Sequence, residues 1–233
     1  MACLLGKFGK RFTMTRISRA IKRTIDVVVS VMVLLVSMPV MAAVAVAIRL
    51  TMGNPVLFRQ VRPGYQGRLF CLVKFRTMKD AFGPDGRPLP DSERLTSLGG
   101  FLRRTSLDEL PQLWNVLKGE MSLAGPRPLL TRYQPYFTAR ERLRQTVRPG
   151  ITGWAQIRGR NTASWDQRLS DDVWYVENWS LLLDLKILLI TLKVVLHRRG
   201  IVDDPQSTML NLDEERASCR DESPCCCQTQ SIP

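Results

Sequence analysis

The pattern of hydrophobic and polar positions divides the chain into a long apolar segment near its start and a mixed region after it. Residues 27–48 read VVVSVMVLLVSMPVMAAVAVAI and contain no charged side chain. A straight helix of this length would be about 33 Å long, which is enough to cross the apolar part of a bilayer. The segment is too long for the apolar part of a signal peptide, and no clear cleavage site follows it. We therefore predict a membrane helix and place it at residues 24–50.

Two features of this segment leave its topology open between a crossing and a re-entrant helix. Pro39 lies in the middle, where it removes a backbone hydrogen bond and kinks a helix. Basic residues flank both ends, among them Arg23 and Arg49, so the positive-inside rule gives a crossing helix no preferred orientation. A helix that bends at Pro39 and returns to the same side satisfies both features. The hydroxyl of Ser37 could then bind the carbonyl that Pro39 leaves free.

The apolar positions after residue 50 predict a small, mostly helical α+β domain. Residues 55–78 contain two short apolar runs around a turn with Gly64 and Gly67, which is typical of a strand hairpin. From Leu110 to Leu117 the apolar residues recur at i, i+3, i+4 and i+7, which predicts a helix with one apolar face. Gly119 is a typical residue for the end of that helix.

The remaining segments of this domain alternate loops with helices. Residues 80–94 are rich in Pro, Gly and Asp and predict a loop. We expect a polar helix at 135–147 and a loop-rich stretch at 147–161. Residues 179–200 are apolar but carry several charges, which predicts an amphipathic helix in the membrane interface or against the core.

The charged residues are distributed unevenly along the 233-residue chain. The net charge is +13, and the first 25 residues contain seven Lys or Arg and no acid. A basic excess indicates a polyanionic partner, and its position beside the apolar segment favours anionic lipid. Seven acids and four of the six cysteines lie after residue 202. We therefore divide the chain into a basic segment at 1–23, the membrane helix at 24–50, a catalytic domain at 51–202 and an acidic, Cys-bearing tail at 203–233, which we expect to be disordered.

Several common chemistries are excluded by what the sequence lacks. The single histidine, His197, stands next to Arg198 and Arg199, which leaves no candidate base for a Ser-His-Asp or Cys-His site. Neither a GxxxxGK[ST] nor a GxGxxG loop occurs, and there is no D-x-D pair of the kind that holds a metal in many nucleotide-sugar glycosyltransferases. The cysteines show no C-x-x-C spacing, which disfavours zinc and indicates a reducing, cytosol-facing compartment.

The candidate chemistry lies in residues 106–128, SLDELPQLWNVLKGEMSLAGPRP, where Asp108 and Glu109 stand side by side. One interpretation is helix capping, since acids are favourable in the first turn of a helix. Either Ser106 or Asp108 could be the N-cap, and Asp108 would place Pro111 in the first turn, where its missing N–H has no cost. Taken alone, the pair favours capping over catalysis.

The surroundings of the pair favour a phosphoryl-transfer site instead. A carboxylate pair can hold Mg²⁺ together with substrate phosphates, and arginine binds phosphate in a bidentate manner. Gly125, Pro126 and Pro128 stiffen the loop that carries Arg127. The candidate phosphate-binding residues are Lys74, Arg76, Arg103, Arg127 and Arg148. The alternative interpretation is that each of these residues is a solvated side chain on a turn or on the edge of a strand, without a role in binding.

Four long motifs of the chain resemble those of the bacterial sugar transferases, the monotopic polyprenyl-phosphate phosphoglycosyl transferases. They are KFRTM, SLDELPQLWNVLKGEMSLAGPRPLL, VRPGITGWAQIRGRN and DVWYVENWSLLLDLKILL. The resemblance covers residues 20–202 and is strongest to the small enzymes that consist of the catalytic domain alone, such as the one that initiates bacterial N-linked glycosylation.

The resemblance implies a reaction and roles for individual residues. The family transfers a sugar 1-phosphate from a UDP-sugar to undecaprenyl phosphate and releases UMP. By this likeness Asp108 is the nucleophile that forms a covalent phosphosugar intermediate, and Glu109 assists with Mg²⁺ and the acceptor. Arg127 binds phosphate, and Arg103 holds the acidic pair.

The resemblance also implies a location and partners. The family's N-terminal helix is re-entrant and bends at a Ser-Pro pair, for which this chain has Ser37, Met38 and Pro39. The enzyme would lie on the cytoplasmic face of the bacterial inner membrane and catalyse the first membrane step of glycoconjugate biosynthesis. The implied partners are the UDP-sugar, undecaprenyl phosphate and anionic lipid, without nucleic acid, and a homo-oligomer is left open.

Two rival classes explain parts of the sequence. A nucleic-acid binder would account for the basic charge but has no place for residues 27–48. A single-pass membrane scaffold would account for residues 27–48 and reduce Asp108 and Glu109 to a helix cap. It differs from the transferase in placing the two ends of the apolar segment in different compartments.

Overall fold

The computed structural model of the protein describes residues 15–87, 89–158, 164–197 and 211–222. The α-helices of this part are α1 Arg16–Met52, α2 Asp91–Arg94, α3 Ser97–Arg104, α4 Gln112–Lys118, α5 Trp154–Arg158, α6 Trp165–Glu177, α7 Leu181–His197 and α8 Leu212–Glu222. The strands are β1 Leu57–Pro63, β2 Leu69–Phe75, β3 Ser122–Ala124 and β4 Gly150–Thr152. The chain is therefore mostly helical with a small amount of sheet, as the sequence predicts.

The long helix α1 begins earlier than residue 24, because Thr15 caps it. The Thr15 hydroxyl accepts a hydrogen bond from the Ser18 amide at 3.1 Å, and Gly53 ends the helix with φ +73°. The helix runs through Pro39. The hydroxyl of Ser37 donates to the carbonyl of Leu34 at 3.4 Å, whereas the carbonyl that Pro39 leaves free is that of Leu35. The prediction that Ser37 binds the carbonyl freed by Pro39 is therefore wrong.

Both flanks of α1 contact the domain that follows, and its middle is exposed. In the N-terminal flank, Arg23 donates to the carbonyls of Val116 and Leu117 at the end of α4. In the C-terminal flank, Ile48 is fully buried and packs in one cluster with Phe75 of β2. Only 11% of the most apolar 18-residue window of the helix is buried. Among the described residues, α1 is the helix that is long and apolar enough to cross a membrane.

Two small sheets bring distant parts of the domain together. Strands β1 and β2 form the predicted antiparallel hairpin, with Leu57 opposite Phe75. Strands β3 and β4 are parallel, with Ser122 opposite Gly150. The sequence predicted a loop-rich stretch at 147–161, which contains β4, because a strand of three residues is too short to show an alternation of apolar and polar positions.

The prediction of a polar helix at 135–147 is wrong. The structure has two 3-10 segments there, Thr131–Tyr136 and Glu141–Thr146. Pro135 lacks the amide that a continuous helix needs. Thr138 and Glu141 then bind each other's backbone amides, which restarts the chain in a new turn.

The prediction of a disordered tail is wrong for residues 212–222, which form α8. Leu212 is fully buried in a cluster with Tyr133 and Trp165. Arg216 forms ion pairs with Glu141 at 2.6 Å and with Asp166 at 3.0 Å. Apolar burial and these ion pairs compensate for the low apolar content that suggested disorder. The rest of the predicted tail, at 203–210 and 223–233, lies outside the described residues.

Helix α7 directs two polar side chains toward the domain and exposes a row of leucines. Asp184 is buried, and the hydroxyl of Thr191 lies 2.7 Å from that of Thr152. The exposed face carries leucines at helical spacing, namely Leu182, Leu185, Leu189 and Leu192, each more than half exposed. A water-soluble domain normally shows the opposite arrangement.

We expect Leu212→Ala to destabilise the whole domain, because α8 is part of its core. Loss of a fully buried leucine costs about 2 to 5 kcal/mol, whereas Leu182→Ala removes a side chain that is 78% exposed. Thermal unfolding of the detergent-solubilised protein, followed by circular dichroism, would show a Tm several degrees lower for Leu212→Ala alone. Equal Tm values for the two variants would mean that α8 does not contribute to the core.

Candidate active site

The chain around Asp108 and Glu109 does not cap a helix. Ser106 has a left-handed backbone with φ +55°, and residues Leu107–Glu109 form one 3-10 turn. Helix α4 begins only after Pro111, and neither Ser106 nor Pro111 makes a side-chain capping bond. Both capping alternatives are therefore wrong, and the strained residue before the turn sets the position of the two acids instead.

Asp108 is a buried carboxylate. Its exposed fraction is 6%, and among the described residues no group donates a hydrogen bond to it. Burial, and to a smaller extent the negative charge of Glu109, raise the pKa of Asp108 to about 6. The charges of Lys74, Arg127 and Arg103 act in the opposite direction. Within the described residues, the charged form of Asp108 is thus stabilised by the charges of nearby cations and not by hydrogen bonds.

Glu109 is held by the arginine of the GPRP loop. Its Oε1 lies 2.8 Å from a terminal guanidinium nitrogen of Arg127, which donates a hydrogen bond to it. This pair raises the pKa of Arg127, and the side chain remains half exposed. Eighteen residues separate the two in sequence. The structure therefore brings together the acids and the arginine that the motif analysis selected.

Lys74 and Arg103 complete the group of charges. Lys74 lies in β2 above the ring of Phe58 on β1, and burial lowers its pKa while Asp108 opposes that effect. Arg103, in the last turn of α3, donates to the hydroxyl of Thr77 at 3.2 Å. Three cations thus surround two carboxylates, and the excess of positive charge suits a phosphate-bearing substrate.

A tight backbone crossing fixes the start of the GPRP loop. The Gly125 amide donates to the carbonyl of Thr152, and the Gly150 amide donates to that of Pro126 at 3.0 Å. A Cβ atom on Gly150 or Gly153 would collide with the backbone of Gly125. Gly125 and Pro126 thus have the loop-shaping position predicted for them, and Pro128 is buried on the far side of Arg127.

Two buried ion pairs hold the carbonyls at the ends of this loop. Before the loop, the carbonyl of Ala124 accepts hydrogen bonds from Lys22 at 3.0 Å and from the Tyr175 hydroxyl at 3.1 Å. Asp184 accepts from both donors, at 2.5 Å from Lys22 and 2.6 Å from Tyr175. We call Lys22, Asp184, Tyr175 and the Ala124 carbonyl the Ala124 clamp.

After the Pro126 turn, Arg144 holds the carbonyl of Arg127 itself. Arg144 donates to that carbonyl and forms an ion pair with Asp172 at 2.7 Å, and both charged side chains are almost fully buried. The sequence analysis missed Arg144 and Asp172. No motif marks them, since they come from a polar segment and from the middle of α6.

Two further arginines lie within electrostatic reach of Arg127. Burial, together with the charge of Arg127, lowers the pKa of Arg62 to about 10. The same two causes lower the pKa of Arg168. Neither residue was selected from the sequence, because an arginine in a strand or an amphipathic helix is ordinarily a solvated surface residue.

Arg76 and Arg148, both predicted to bind substrate phosphate, are not brought to this site. The buried guanidinium of Arg76 donates to the carbonyls of Met78 and Asn54 and to Asp80, so it organises the loop after β2. Arg148 donates to the carbonyl of Gly119, at the opposite end of α4 from the acids.

The acids could provide part of a metal site. Among the described residues, no group of three or more His, Cys, Asp or Glu side chains could hold a metal ion. Asp108 and Glu109 alone fit Mg²⁺, which typically takes one or two protein carboxylates and completes its shell with water and substrate phosphates.

Comparison with known proteins identifies relatives over most of the chain. The family model described as "Bacterial sugar transferase" matches residues 17–198. The "Uncharacterized sugar transferase EpsL" of Bacillus subtilis is 50% identical over 78% of this chain and 90% of its own length.

Two longer relatives have names that state an activity. The "Undecaprenyl-phosphate galactose phosphotransferase" of Salmonella typhimurium is 40% identical over 79% of this chain. The "UDP-glucose:undecaprenyl-phosphate glucose-1-phosphate transferase" of Escherichia coli is 39% identical over 75% of this chain. The alignments cover 42% and 40% of these two relatives, so the chain spans about two fifths of their length.

We expect Glu109→Gln to lower the pKa of Asp108 and Lys74→Met to raise it above about 6. The first variant removes a negative neighbour of the carboxylate, and the second removes a positive one. Titration of the Asp108 carboxyl carbon by NMR would measure both shifts, with Arg140→Gln, an exposed charge change, as the control. If both variants left the titration unchanged, these side chains would not be the neighbours of Asp108 in solution.

Proposed function

Because the chain belongs to the bacterial sugar transferase family, we propose that it transfers a sugar 1-phosphate from a UDP-sugar to undecaprenyl phosphate and releases UMP. The observation that carries this proposal is Asp108, a buried carboxylate to which no described residue donates a hydrogen bond, among the cations Lys74, Arg103 and Arg127. The names of the relatives from Salmonella typhimurium and Escherichia coli support the choice of donor and acceptor.

In the first step, the carboxylate of Asp108 attacks the phosphorus that carries the sugar. A bond forms between the carboxylate oxygen and phosphorus, and the bond from phosphorus to the bridging oxygen breaks, so UMP leaves with both electrons. With a pKa of about 6, Asp108 is ionised at neutral pH and still more basic than an ordinary aspartate. The cations around it reduce the repulsion between the carboxylate and the diphosphate.

In the second step, a phosphate oxygen of undecaprenyl phosphate attacks the same phosphorus. The acyl-phosphate bond breaks, the lipid diphosphate sugar forms, and Asp108 returns to its carboxylate state. Glu109, held in place by Arg127, is positioned to take the proton of the acceptor or to bind the metal. Mg²⁺ held by Asp108 and Glu109 would supply charge neutralisation for the diphosphate.

The proposal places the protein on one face of the membrane, with α1 as a re-entrant helix. Lys22 binds Asp184 of the domain, and Arg23 binds the carbonyl of Val116. Ile48 is buried in the same domain. A helix that crossed the bilayer between these points would need parts of one compact domain on both sides. The exposed middle, which contains Pro39, can enter the apolar layer while both flanks remain at the surface.

The outward leucines of α7 support the same placement. A face of Leu182, Leu185, Leu189 and Leu192 exposed to water would be unfavourable, but it suits the boundary between lipid headgroups and acyl chains. The acceptor carries its phosphate at that depth. We therefore propose the cytoplasmic face of the inner membrane as the location, consistent with the basic flanks of α1.

The proposed reaction predicts magnesium-dependent release of UMP from one UDP-sugar by the detergent-purified protein with undecaprenyl phosphate. Asp108→Asn should lower the rate by about 100-fold or more, because the amide is not a nucleophile. UMP would be quantified across a panel of UDP-sugars. The matched control is Asp166→Asn, which changes an aspartate that is 81% exposed and should keep its activity.

Equal UMP release from the wild type and Asp108→Asn would contradict the covalent mechanism. Absence of release from every UDP-sugar would contradict the transferase and favour the membrane scaffold.

The re-entrant topology predicts that both flanks of α1 react with reagents on the same side of the membrane. In a cysteine-free background, Thr15→Cys and Lys79→Cys replace exposed side chains before and after the helix. Both should be labelled by a membrane-impermeant maleimide only after the cytoplasmic face is opened, and Val36→Cys in the exposed middle should stay protected. Labelling of the first two sites from opposite sides would overturn the topology.

A further inference from the structure

A second basic site lies apart from the acids, at the N-terminal end of α1. It is a cavity of about 600 Å³ between α1 and the loops around Tyr65 and Arg148. The α1 residues that line it include Arg16, Arg19 and Arg23, which share one helix face at the spacing i, i+3 and i+7. The cavity lies at the C-terminal end of α4, and Asp108 and Glu109 lie before the N-terminal end of the same helix. The two ends of this seven-residue helix are about 10 Å apart.

The positive charge of this cavity is only partly balanced by acids among the described residues: Lys22, which also lines it, pairs with Asp184. Asp26 is the one acid in its lining, and its carboxylate accepts a hydrogen bond from the Leu123 amide. Among the described residues, no acid pairs with Arg16 or Arg19. Burial and then the neighbouring charge of Arg148 lower the pKa of Arg23, while the charge of Asp26 opposes both effects.

The same turns of α1 carry an apolar strip on the other face. Ile17, Ile21, Ile25 and Val28 follow each other at helical spacing, and each is at least 43% exposed. Immediately after Asp26 the charge-free segment begins. The first turns of α1 thus have a basic face toward the cavity and an apolar face, an arrangement typical of helices that lie in the headgroup region of a membrane.

We propose that this cavity binds the phosphate of an anionic membrane lipid headgroup, at a site separate from the transfer chemistry. The inference rests on the proposed membrane position of α1 but not on the proposed reaction. The arginines would bind the phosphate oxygens through charge-assisted hydrogen bonds, and Tyr65, stacked with Arg148 at 5.9 Å, would close one side of the headgroup. The cavity is large enough for a headgroup with its glycerol, and the apolar strip places the acyl chains beside it.

The test is a titration of the detergent-purified, delipidated full chain with dihexanoyl phosphatidylglycerol, followed by native mass spectrometry. We expect saturable binding that is at least tenfold weaker in the double variant Arg16→Gln/Arg19→Gln. The matched control is Arg87→Gln/Arg140→Gln, which removes the same two charges from side chains that are 86% and 74% exposed elsewhere and should bind like the wild type. Arg16→Lys/Arg19→Lys should keep most of the affinity, since lysine also binds phosphate as a point charge.

Further arms distinguish the source of the phosphate. Dihexanoyl phosphatidylcholine, whose choline cation cancels the charge, should bind at least tenfold more weakly than phosphatidylglycerol. Glycerol 3-phosphate and UMP, which lack acyl chains, should show no loss of affinity specific to Arg16→Gln/Arg19→Gln. If a soluble phosphate lost affinity in that variant as strongly as the lipid, the assignment to a lipid would be overturned.

Failure of this inference can be told apart from failure of the proposed reaction. Equal phosphatidylglycerol affinity in Arg16→Gln/Arg19→Gln and in the wild type would overturn the lipid site, whether or not UMP is released. Binding that follows the expected pattern would support the lipid site even in a preparation that released no UMP.

Discussion

The carbonyl of Ala124 is the point on which the geometry of the site depends. The Ala124 clamp joins α1 through Lys22, α6 through Tyr175 and α7 through Asp184, and it does so at the residue before the GPRP loop. Removing one partner of such a buried ion pair ordinarily costs about 3 to 5 kcal/mol, because the other charge is left uncompensated. Helix α1 is therefore bonded directly to the residue that precedes the arginine loop, and the loss of this contact would disturb the position of Arg127.

The acids of this basic protein are explained by the balance of charge around them. Burial and Glu109 raise the pKa of Asp108, while Lys74, Arg103 and Arg127 oppose that increase. Without the cations a buried carboxylate would bind a proton at neutral pH, and without burial it would be a weak base. Arg127 pairs with Glu109 and still has half of its side chain exposed, so it can also reach a substrate phosphate.

The sequence predicted the parts of the molecule that depend on local pattern or on a motif. The hairpin, the long apolar helix and α7 were all predicted, and the structure also brings Arg127 of the selected motif to Glu109. Arg103, which was expected to hold the acidic pair, donates its hydrogen bond to Thr77. Residues whose role depends on distant contacts were not predicted. Arg144 and Asp172 have no local signal, and Arg76 and Arg148 sit in motifs but bind other parts of the backbone. Leu212 belongs to a segment whose composition suggests disorder, and only its contact with Tyr133 and Trp165 makes it part of the core.

The attachment of both flanks of α1 to later parts of the chain sets an order for biogenesis. The helix leaves the ribosome before the domain that it contacts, and Asp184, the partner of Lys22, follows 162 residues after that lysine. At about 5 to 20 residues per second, the ribosome needs about 10 to 30 s to supply it. On the proposed topology, the helix is in contact with lipid during that interval, while Lys22, Arg23 and Asp26 lack their final partners. On this topology, α1 is therefore in the membrane before the rest of the domain has been synthesised, and the domain completes its fold on a helix that is already inserted.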